Sequence, residues 1–496
     1  MATLEAVTRE AVAWRGLLVI GGLLAALLVA TSSRYGYHRD ELYFILIGSR
    51  PAWGYADQPA LVPLLAHALH TISGGSIVAL RFPSALLAGG TAVLTGVMAR
   101  ELGATGRGQL LAGACMAVGA VTIAVGHLLS TSTVDLFVWT LLSLLLVRAL
   151  RDGGAAWLLA GLVAGVGLEV KTLVAFFLVA VLGGILLTGP RDVLRSWRPW
   201  AGGAIALALW APDLAWQASH GWPQLDLARG IAGGSSGTSE SRWLLLPYQL
   251  VLISPFLVAV WVRGGRRLAR DPEFRRYRAF PVAYVLLVVI FLATGGKPYY
   301  LAGLYPVLLA AGAEPVARRA SLSRSGRVRL GIALAASLAV AAYLFLPLTP
   351  VDRLAGSLPA AVNYDAGETV GWPRFGQTVA QVYADLPESE RRHAIFLGGN
   401  YGEAGAVSRF GPPGLPVFSG HNALADLGPP PESATTVIAV GFREQALLRW
   451  FGQVSQVGRI DNGVGLDNDE QGSTVWLCRD PRTRWAAIWP QVKTLG

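Results

Sequence analysis

The residues best suited to chemistry follow directly on the first apolar run of the chain. The stretch "SSRYGYHRDELYFILIGSRPAWGYADQPALVPLL" (residues 32–65) places "HRDE" side by side at 38–41 and adds Asp57 further on, although only 15% of the chain is charged. Charges held at the depth of the lipid headgroups are costly unless they are paired or used. Two carboxylates separated by a helix and a turn could converge on one point there, so Asp40, Glu41 and Asp57 form a candidate functional site.

A purely structural interpretation of the same residues remains open. Asp40 and Glu41 would open an amphipathic helix, where the helix dipole favours negative charge and the first N–H groups need acceptors. The later segment "GYADQP" weakens this interpretation, because it adds a second acid and an amide just before a proline that can start a new helix. Both flanking runs, "DELYFILIGSR" and "ALVPLLAHALHTI", are shorter than a membrane span and have a polar side, which predicts helices lying at the membrane surface.

The elements that must position these residues are membrane spans. The chain has 496 residues, of which 53% are hydrophobic, and its mean hydropathy is +0.47. A soluble protein of this length cannot bury that much apolar surface, whereas a polytopic membrane protein needs it. The net charge of +10 lies in short clusters between apolar runs, and no nucleic-acid-binding motif accompanies it, so nucleic acid is not an expected partner. Two cysteines give neither a disulfide framework nor metal-ligand spacing.

About eleven apolar runs are each close to the ~20 residues that a bilayer requires. They fall at 11–31, 76–98, 109–128, 134–150, 156–170, 171–188, 200–216, 244–262, 280–294, 299–316 and 329–347. Arginine clusters such as "RGGRRLARDPEFRRYR" occur at every second connection, which predicts that those connections and the N-terminus are cytoplasmic. An odd number of spans then places the C-terminus and the first loop, residues 32–75, on the outer side.

The last 149 residues have a different character from the rest, so we predict two domains, a membrane domain over 1–347 and an outer domain over 348–496. In the second, the apolar runs shorten to strand length in "HAIFLGG", "TTVIAVGF" and "STVWLC", with a helical pattern in "GQTVAQVYADLP". Glycine, proline and asparagine separate these runs. The pattern is typical of an α/β domain.

Several of these segments resemble a known family. "DELY" followed by "GYADQP" is similar to the Asp-Glu-x-x-Tyr and Asp-His-Pro-Pro pattern of protein O-mannosyltransferase-type and aminoarabinose-transferase-like enzymes, the GT-C membrane glycosyltransferases of family 39 and their bacterial relatives. Further similarity lies in "RFPSALLAG", "GLEVKT", "WQASHGWP", "GGKPYYLAGLYP", "ETVGWP", "NYGEAGA" and "SGHN". The chain departs from the pattern at Gln58, where relatives often carry His or Lys, and at Ala60, which replaces the second proline.

The resemblance implies a GT-C fold and transfer of a sugar from a polyprenyl-phosphate carrier to an acceptor hydroxyl at the outer membrane surface, with inversion at the sugar carbon. A lipid phosphate leaves already ionised, so the reaction needs one base for the acceptor proton and cations for the phosphate. We expect Asp40 to be the base, with Glu41 or Asp57 positioning it or the acceptor. Mannose is the commonest sugar of the family, and a pentose such as aminoarabinose is an alternative.

Lysine is rare in this chain, so the few lysines present indicate where the phosphate site is expected. The sequence has three lysines against 38 arginines, and Lys171 and Lys297 fall in or beside spans at their predicted outer ends. Lysine is a compact point charge suited to a single phosphate oxygen. Arg81, at the outer start of the second span, is a further candidate; for all three the alternative is snorkelling or pairing with a nearby carboxylate. The resemblance adds two aromatic neighbours of the second lysine to the expected donor site: Tyr299 and Tyr300.

Acceptor or sugar contacts are expected in outer loops and at strand ends, where recognition residues usually lie. These candidates are Tyr43, Gln58, His220, Trp222, Glu368, Asn400, Tyr401, Glu403, His421 and Asn422. For the tryptophan, membrane anchoring is the alternative, and for the tail residues it is ordinary turn chemistry. No cofactor is required by the spacing, although some relatives hold a divalent metal ion near the phosphate. Its ligands here would be Asp57, Glu41 or His220.

Two other classes of function remain open from the sequence. A lipid or polysaccharide flippase or transporter is compatible with eleven spans, although two matching halves with broken helices are not evident. A catalytically inactive membrane scaffold would keep the fold without the chemistry. The arginine-rich, lysine-poor composition favours a bacterial protein, and hence a plasma-membrane enzyme with an envelope glycan, lipid or protein as acceptor.

Overall fold

The computed structural model describes residues 10–234 and 241–496. The first part is helical, and several of its helices begin at a Ser or Thr, whose side chain can satisfy a free N–H group. Its helices are α1 (Trp14–Thr31), α2 (Arg39–Gly48), α3 (Leu61–Ile72), α4 (Ile77–Glu101), α5 (Gly106–Ala117), α6 (Ala120–Gly126), α7 (Thr131–Asp152), α8 (Ala156–Leu168), α9 (Leu173–Thr188), α10 (Trp197–Ser219), α11 (Pro223–Gly233), α12 (Leu245–Ile253), α13 (Val258–Arg270), α14 (Ala279–Thr294), α15 (Tyr305–Ser321) and α16 (Arg324–Phe345). A 3₁₀ segment, Pro298–Leu304, leads into α15.

The multi-pass character is confirmed, but the number of eleven spans is not. Among the described residues, five helical segments are long and apolar enough to cross a membrane, or up to seven if each of two bent pairs counts as one span. The pair α5 and α6 bends by 55°, and the pair Arg242–Ile253 and Pro255–Arg270 by 77°. Helix α8 has only 13 residues, which at 1.5 Å each gives roughly 20 Å, less than the hydrocarbon thickness.

Two helices form where the sequence of the first loop predicts them. Helix α2 covers most of "DELYFILIGSR" and α3 covers "LVPLLAHALHTI". The two helices approach closely at Gly48, where an added Cβ atom would lie 2.1 Å from the carbonyl oxygen of Pro63. Only glycine permits this contact, so it fixes how α2 and α3 cross.

The C-terminal part contains one mixed sheet with short helices around it. The helices are α17 (Leu358–Val362), α18 (Tyr364–Gly367), α19 (Trp372–Ala384), α20 (Glu388–Arg391), α21 (Tyr401–Phe410), α22 (Glu444–Trp450) and α23 (Trp485–Val492). The strands are β1 (Ala394–Gly398), β2 (Val417–Ser419), β3 (Thr436–Val440), β4 (Phe451–Arg459) and β5 (Thr474–Pro481). Their order is β2-β1-β3-β5-β4, with β1 parallel to β2 and β3, and β5 antiparallel to β3 and β4.

Three of these strands and one helix were predicted. The runs "HAIFLGG" and "TTVIAVGF" contain β1 and β3, "STVWLC" covers β5 as far as Cys478, and "GQTVAQVYADLP" lies mostly within α19. Strands β2 and β4 were missed. Strand β2 has only three residues, and β4 is largely exposed on both faces, so neither carries an apolar run.

One hydrophobic core joins the first loop to the C-terminal sheet. Leu42 and Phe44 of α2 lie in the same buried cluster as Trp372 of α19, Ala404 of α21 and Ile438 of β3. A separate cluster fills the space between the spans. Because α2 packs in the same cluster as α19, α21 and β3, the C-terminal part holds the first turn of α2 in place.

Candidate active site

The first turn of α2 is fixed by a capping box. The His38 ring accepts a hydrogen bond from the N–H of Asp40, and the Glu41 carboxylate accepts one from the N–H of His38 at 2.8 Å. Two of the free helix N–H groups are thereby satisfied. The capping role of His38 makes the direction of the neighbouring Asp40 side chain a consequence of the local sequence.

Glu41 and Arg81 form a buried ion pair, which corrects their expected roles. Nε of Arg81 donates to one Glu41 oxygen at 2.8 Å and Nη2 to the other at 2.7 Å, and the side chains are 2% and 0% exposed. Nη1 of Arg81 donates to the carbonyl of Ser32, and the N–H of Leu129 donates to Glu41. Because these bonds occupy the guanidinium and both carboxylate oxygens, Arg81 fits its alternative role in an ion pair rather than a phosphate ligand, and Glu41 fits a structural partner rather than a group that positions the base or the acceptor.

Asp40 points in a different direction and remains accessible. Its side chain is 37% exposed, and its Oδ1 accepts a hydrogen bond of 2.8 Å from the hydroxyl of Tyr401, the first residue of α21. The Tyr401 ring stacks on His421, with ring centroids 4.9 Å apart, and packs at a tilt against Tyr43 at 4.5 Å. Asp40 is therefore a partly exposed carboxylate with one oxygen oriented by the C-terminal part.

Arg39 anchors the C-terminal part to α2. Its Nη1 donates to the carboxylates of Glu368 and Asp469, both at 3.1 Å, and its Nε donates to the Tyr401 hydroxyl at 3.2 Å. The Arg39 guanidinium also lies 4.9 Å from the centre of the Tyr401 ring. The tyrosine hydroxyl that holds Asp40 is in turn held by this arginine.

Several buried glutamate side chains lie around Arg39. Burial and the nearby charge of Glu368 raise the pKa of Glu470 to about 8, and burial raises the pKa of Glu403 to about 7. Burial also raises the pKa of Glu368, although Arg39 opposes this. Glu368 was expected to contact the acceptor or sugar, but its side chain is fully buried, so this expectation is corrected.

Asp57 lies in a second polar cluster beside the same tyrosines. Its Oδ1 accepts a hydrogen bond of 2.7 Å from the Tyr43 hydroxyl, and its Oδ2 accepts one of 3.3 Å from Asn422. Burial raises the pKa of Asp57 to about 6, against the opposing effect of the Tyr43 hydrogen bond. The side chain of the next residue, Gln58, is buried, and its Nε2 has no hydrogen-bond partner among the described residues. Tyr43, Asp57 and Asn422, predicted separately, thus meet in one place.

Lys171 lies over two tyrosines. Its Nζ is 5.1 Å from the ring centres of both Tyr299 and Tyr300, and it donates to the hydroxyl of Ser132 at 3.2 Å. The alternative of pairing with a nearby carboxylate is not seen with Glu169, because Lys171 forms no ion pair with it within the described part of the chain. An electrostatic interaction links Lys171 instead to Asp135 on α7. The structure thus brings together three of the residues expected to bind the donor phosphate.

Lys297 reaches the same region from the start of the segment before α15. The charge of Lys297 acts on Asp365 in α18, which also lies 3.5 Å from Nε2 of His38. Partial burial would raise the pKa of Asp365, but the hydrogen bond and charge of His38 hold it below its ordinary value. The hydroxyl of Tyr299 interacts electrostatically with both Asp40 and Asp365. Asp40 is thereby connected to the lysine and tyrosine cluster.

Of the remaining residues that were expected to contact the acceptor, Asn400 and Glu403 form a helix cap, whereas His421 lies beside Tyr401. Asn400 caps α21 in a reciprocal capping box with Glu403, whose carboxylate accepts from the N–H groups of Gly399 and Asn400 at 2.6 and 3.1 Å. These bonds correct the expectation that Glu403 faces an acceptor. His421 accepts from the N–H of Tyr401 at 3.3 Å and stays beside the site.

His220 and Trp222 lie at the turn between α10 and α11 and are exposed. His220 stacks on Trp216 with ring centres 4.0 Å apart, and its Nδ1 contacts the carbonyl of the same residue. The expected metal ligands, Asp57, Glu41 and His220, do not form one site, because Glu41 is paired with Arg81. Within residues 10–234 and 241–496, no three His, Cys, Asp or Glu side chains are placed to hold a metal ion.

Sequence reasoning missed Ser132, Asp135 and Asp365. Asp135 carried a signal, because an acid inside an apolar run is expensive in a membrane and is usually functional. Its Oδ1 is buried without a hydrogen-bond partner among the described residues. Ser132 and Asp365 carried no signal, since their importance comes only from side chains distant in sequence.

Comparison with known proteins confirms the resemblance. Residues 57–216 match the family described as dolichyl-phosphate-mannose-protein mannosyltransferase. The fold is similar to that of ArnT from Cupriavidus metallidurans bound to undecaprenyl phosphate, with a TM-score of 0.62 and 14% identity over 94% of this chain and 98% of ArnT. The apo form of ArnT matches with a TM-score of 0.61, also at 14% identity, over 94% of this chain and 97% of ArnT.

A second match is arabinofuranosyltransferase AftD from Mycobacteria, with a TM-score of 0.55 and 14% identity over 96% of this chain and 40% of AftD. A search of curated protein sequences gives no significant match. At these identities the structural likeness establishes the GT-C fold. Together with the family match, it supports the expectation drawn from the motifs of the first loop.

Proposed function

We propose that this protein is an integral membrane glycosyltransferase that moves a sugar from a polyprenyl-phosphate carrier to a hydroxyl of an envelope acceptor. The observation that carries the proposal is the placement of Asp40. It is an accessible carboxylate, oriented by the Tyr401 hydroxyl at 2.8 Å, and it interacts electrostatically with Tyr299, over which Lys171 lies. A base and a cation that face one region are the two groups that this reaction needs.

In the proposed reaction Asp40 accepts the proton of the acceptor hydroxyl as its oxygen attacks the anomeric carbon. The bond from that carbon to the phosphate oxygen breaks, and the electron pair leaves with the lipid phosphate. Lys171 and Lys297 would stabilise the phosphate charge, since an ammonium in a site shielded from water interacts strongly with an anion. One displacement of this kind inverts the configuration of the sugar carbon.

The acceptor would approach from the C-terminal side. Tyr401, His421 and Asn422 line that side next to Asp40 and Asp57, and Trp222 is exposed at the α10–α11 turn. A mannose-like hexose and a pentose both remain candidates for the sugar. The proposed setting is a bacterial plasma membrane, with the N-terminus cytoplasmic and a C-terminal domain over 348–496 outside.

The test uses purified protein in nanodiscs with labelled polyprenyl-phosphate sugars and follows release of the lipid phosphate. Asp40→Asn should reduce the rate by about 10²–10⁴-fold, the usual contribution of a general base, while donor binding persists. Tyr401→Phe should reduce it less, because the Asp40 carboxyl group is retained and only one oriented hydrogen bond is lost. Asp467→Asn, an exposed acid of the C-terminal part, serves as the control and should leave the rate unchanged.

The alternatives give different outcomes in the same assay. A flippase would move the intact donor across the membrane without releasing lipid phosphate. A scaffold would release none and would tolerate Asp40→Asn in every assay. Full activity of the Asp40→Asn protein would overturn the assignment of the base.

A further inference from the structure

A groove lies at the membrane face opposite the candidate active site. Helix α1 begins at this face, α4 ends at it and α16 begins at it, while the other ends of these helices lead to the site. Helix α4 has 25 residues, which at 1.5 Å per residue corresponds to roughly 37 Å. The groove is therefore separated from the site by about the thickness of a bilayer.

The groove has apolar walls and two arginines. It encloses ≈ 490 Å³ between α5, α15 and α16, within the size range of ligand sites. Leu111, Leu330 and Leu334 line it together with Arg107 and Arg327. Both arginine side chains belong to exposed residues, so the cationic part of the groove is open to water.

The positive charge of the groove is not neutralised within the described part of the chain. Neither Arg107 nor Arg327 lies within ion-pair distance of a carboxylate of residues 10–234 or 241–496, and Arg327 donates only to the carbonyl of Ser321 at 3.1 Å. Two other arginines of this face, Arg148 and Arg151, are paired with Glu101 at 2.9 and 2.7 Å. Arg107 and Arg327 are distinguished from the other exposed arginines because both line the groove, where no carboxylate of the described residues neutralises them and an external anion can.

The neighbouring surface of α16 is apolar. Val328 is 52% exposed and Ile332 is 62% exposed on the same helix, and such side chains in a membrane protein are covered by lipid. An occupant of the groove can therefore extend from two guanidinium groups onto an apolar helix surface. A lipid with an anionic headgroup has this form, and a water-soluble anion does not.

We propose that this groove binds an anionic phospholipid, whose phosphate contacts Arg107 and Arg327 and whose acyl chain lies along Leu330 and Leu334. Basic pockets between membrane helices are known to favour such headgroups. The groove is distinct from the donor site, because the two lie at opposite ends of the same helices. Its ligand would stabilise the packing of α16 on α5 and α15.

The test measures lipid retention by native mass spectrometry after extraction from membranes that contain phosphatidylglycerol, cardiolipin and phosphatidylcholine. The Arg107→Gln/Arg327→Gln protein should retain at least three-fold less anionic lipid than the unmodified protein. The control is Arg318→Gln/Arg329→Gln, which removes two exposed arginines of the same face that do not line the groove. It should retain anionic lipid normally.

A second measurement tests whether the variants are folded. In delipidated detergent the melting temperatures of the three proteins should agree, and added phosphatidylglycerol should raise that of the unmodified and control proteins only. Equal loss of lipid in both double variants would overturn the proposal. So would equal stabilisation by phosphatidylcholine, or by glycerol phosphate at the same concentration, because either would remove the requirement for an anionic headgroup on an acyl chain.

Discussion

Two adjacent carboxylates, Asp40 and Glu41, differ in role because their environments differ. They point about 100° apart on α2. Glu41 faces inward and is fully buried against Arg81, whereas the Asp40 side chain is 37% exposed and, among the described residues, contacts the Tyr401 hydroxyl and the capping His38. A carboxylate neutralised by a buried arginine cannot easily take a proton, while an accessible one can. The local geometry therefore favours Asp40 as the base.

Lys171 gives a prediction at the same scale. Lys171→Ala removes the ammonium that lies between Ser132 and the two tyrosines, so kcat/KM for the donor should fall by about 10²–10³-fold, the usual effect of deleting one group that stabilises developing charge. The fall should include weaker donor binding. Steady-state kinetics and direct binding of labelled donor measure the two effects.

The matched control for this prediction is Lys493→Ala. Lys493 is 46% exposed and lies 3.9 Å from Asp426, far along the chain from the spans. Its loss should change neither kinetics nor binding. Unaltered donor affinity and turnover in the Lys171→Ala protein would remove Lys171 from the phosphate site.

The sequence could mark Asp40, Asp57 and Lys171 as candidates because each breaks a strong local pattern, an acid or a lysine among apolar residues. It could not show that Glu41 pairs with Arg81, since the two are forty residues apart and meet only when α2 packs against α4. The roles of Asp365 and Ser132 were hidden for the same reason. Residue type predicts which side chains are unusual, and packing decides which of them face each other.

At the scale of elements, the ion pair between α2 and α4 should contribute strongly to stability. Glu41→Gln leaves the Arg81 guanidinium buried without its counter-charge, which typically costs about 3–5 kcal/mol. The control is Glu388→Gln, which breaks an exposed pair with Arg392 in which both side chains are more than two-thirds exposed. Thermal and denaturant unfolding in detergent should show a large loss for the first variant and little change for the second. Equal stability of the two variants would contradict the prediction.

The acidic loop that contains Glu470 gives a prediction about pH. Burial and the charge of Glu368 raise the pKa of Glu470 to about 8 in the folded protein, above its value in the unfolded chain. The folded protein then binds the extra proton, so its stability should fall as the pH rises towards 8 and should level off above it. Glu470→Gln removes this ionisation, and its stabilising effect should be larger at pH 8.5 than at pH 5.

Melting temperatures of the two proteins between pH 5 and 9 test this dependence. Asp467→Asn is the control, because Asp467 lies in the same loop but is exposed. Parallel melting curves for the unmodified and Glu470→Gln proteins across the whole range would show that the carboxyl group is already ionised below pH 5.

The elements themselves were predictable to different degrees. Each of the eleven apolar runs contains helical residues, because apolar periodicity is a strong signal. The breaks between α5 and α6 and before α13 were not visible, since a bend depends on the neighbours of a helix. Strand β4 was missed because it is exposed and lacks alternation.

At the scale of the whole molecule, the candidate site is assembled from three distant parts of the chain. The first loop supplies Asp40, the spans supply Lys171 with its tyrosines, and the C-terminal part supplies Tyr401. The reactive geometry therefore depends on how α21 rests on α2. A change at that contact should impair activity without touching any residue that would meet the substrate.

Gly405 is the point where this dependence can be measured. A Cβ atom there would lie 2.8 Å from Cβ of Leu42 and 3.0 Å from its carbonyl carbon, so α21 must move away from α2. Such overpacking usually costs about 1–3 kcal/mol. In Gly405→Ala, Tyr401 should lose its contact with Asp40, and turnover should fall at least as far as in Tyr401→Phe while the protein stays folded. Gly203→Ala, where a Cβ meets nothing within 4 Å, should retain full turnover. Normal turnover in the Gly405→Ala protein would show that the C-terminal part does not position the base.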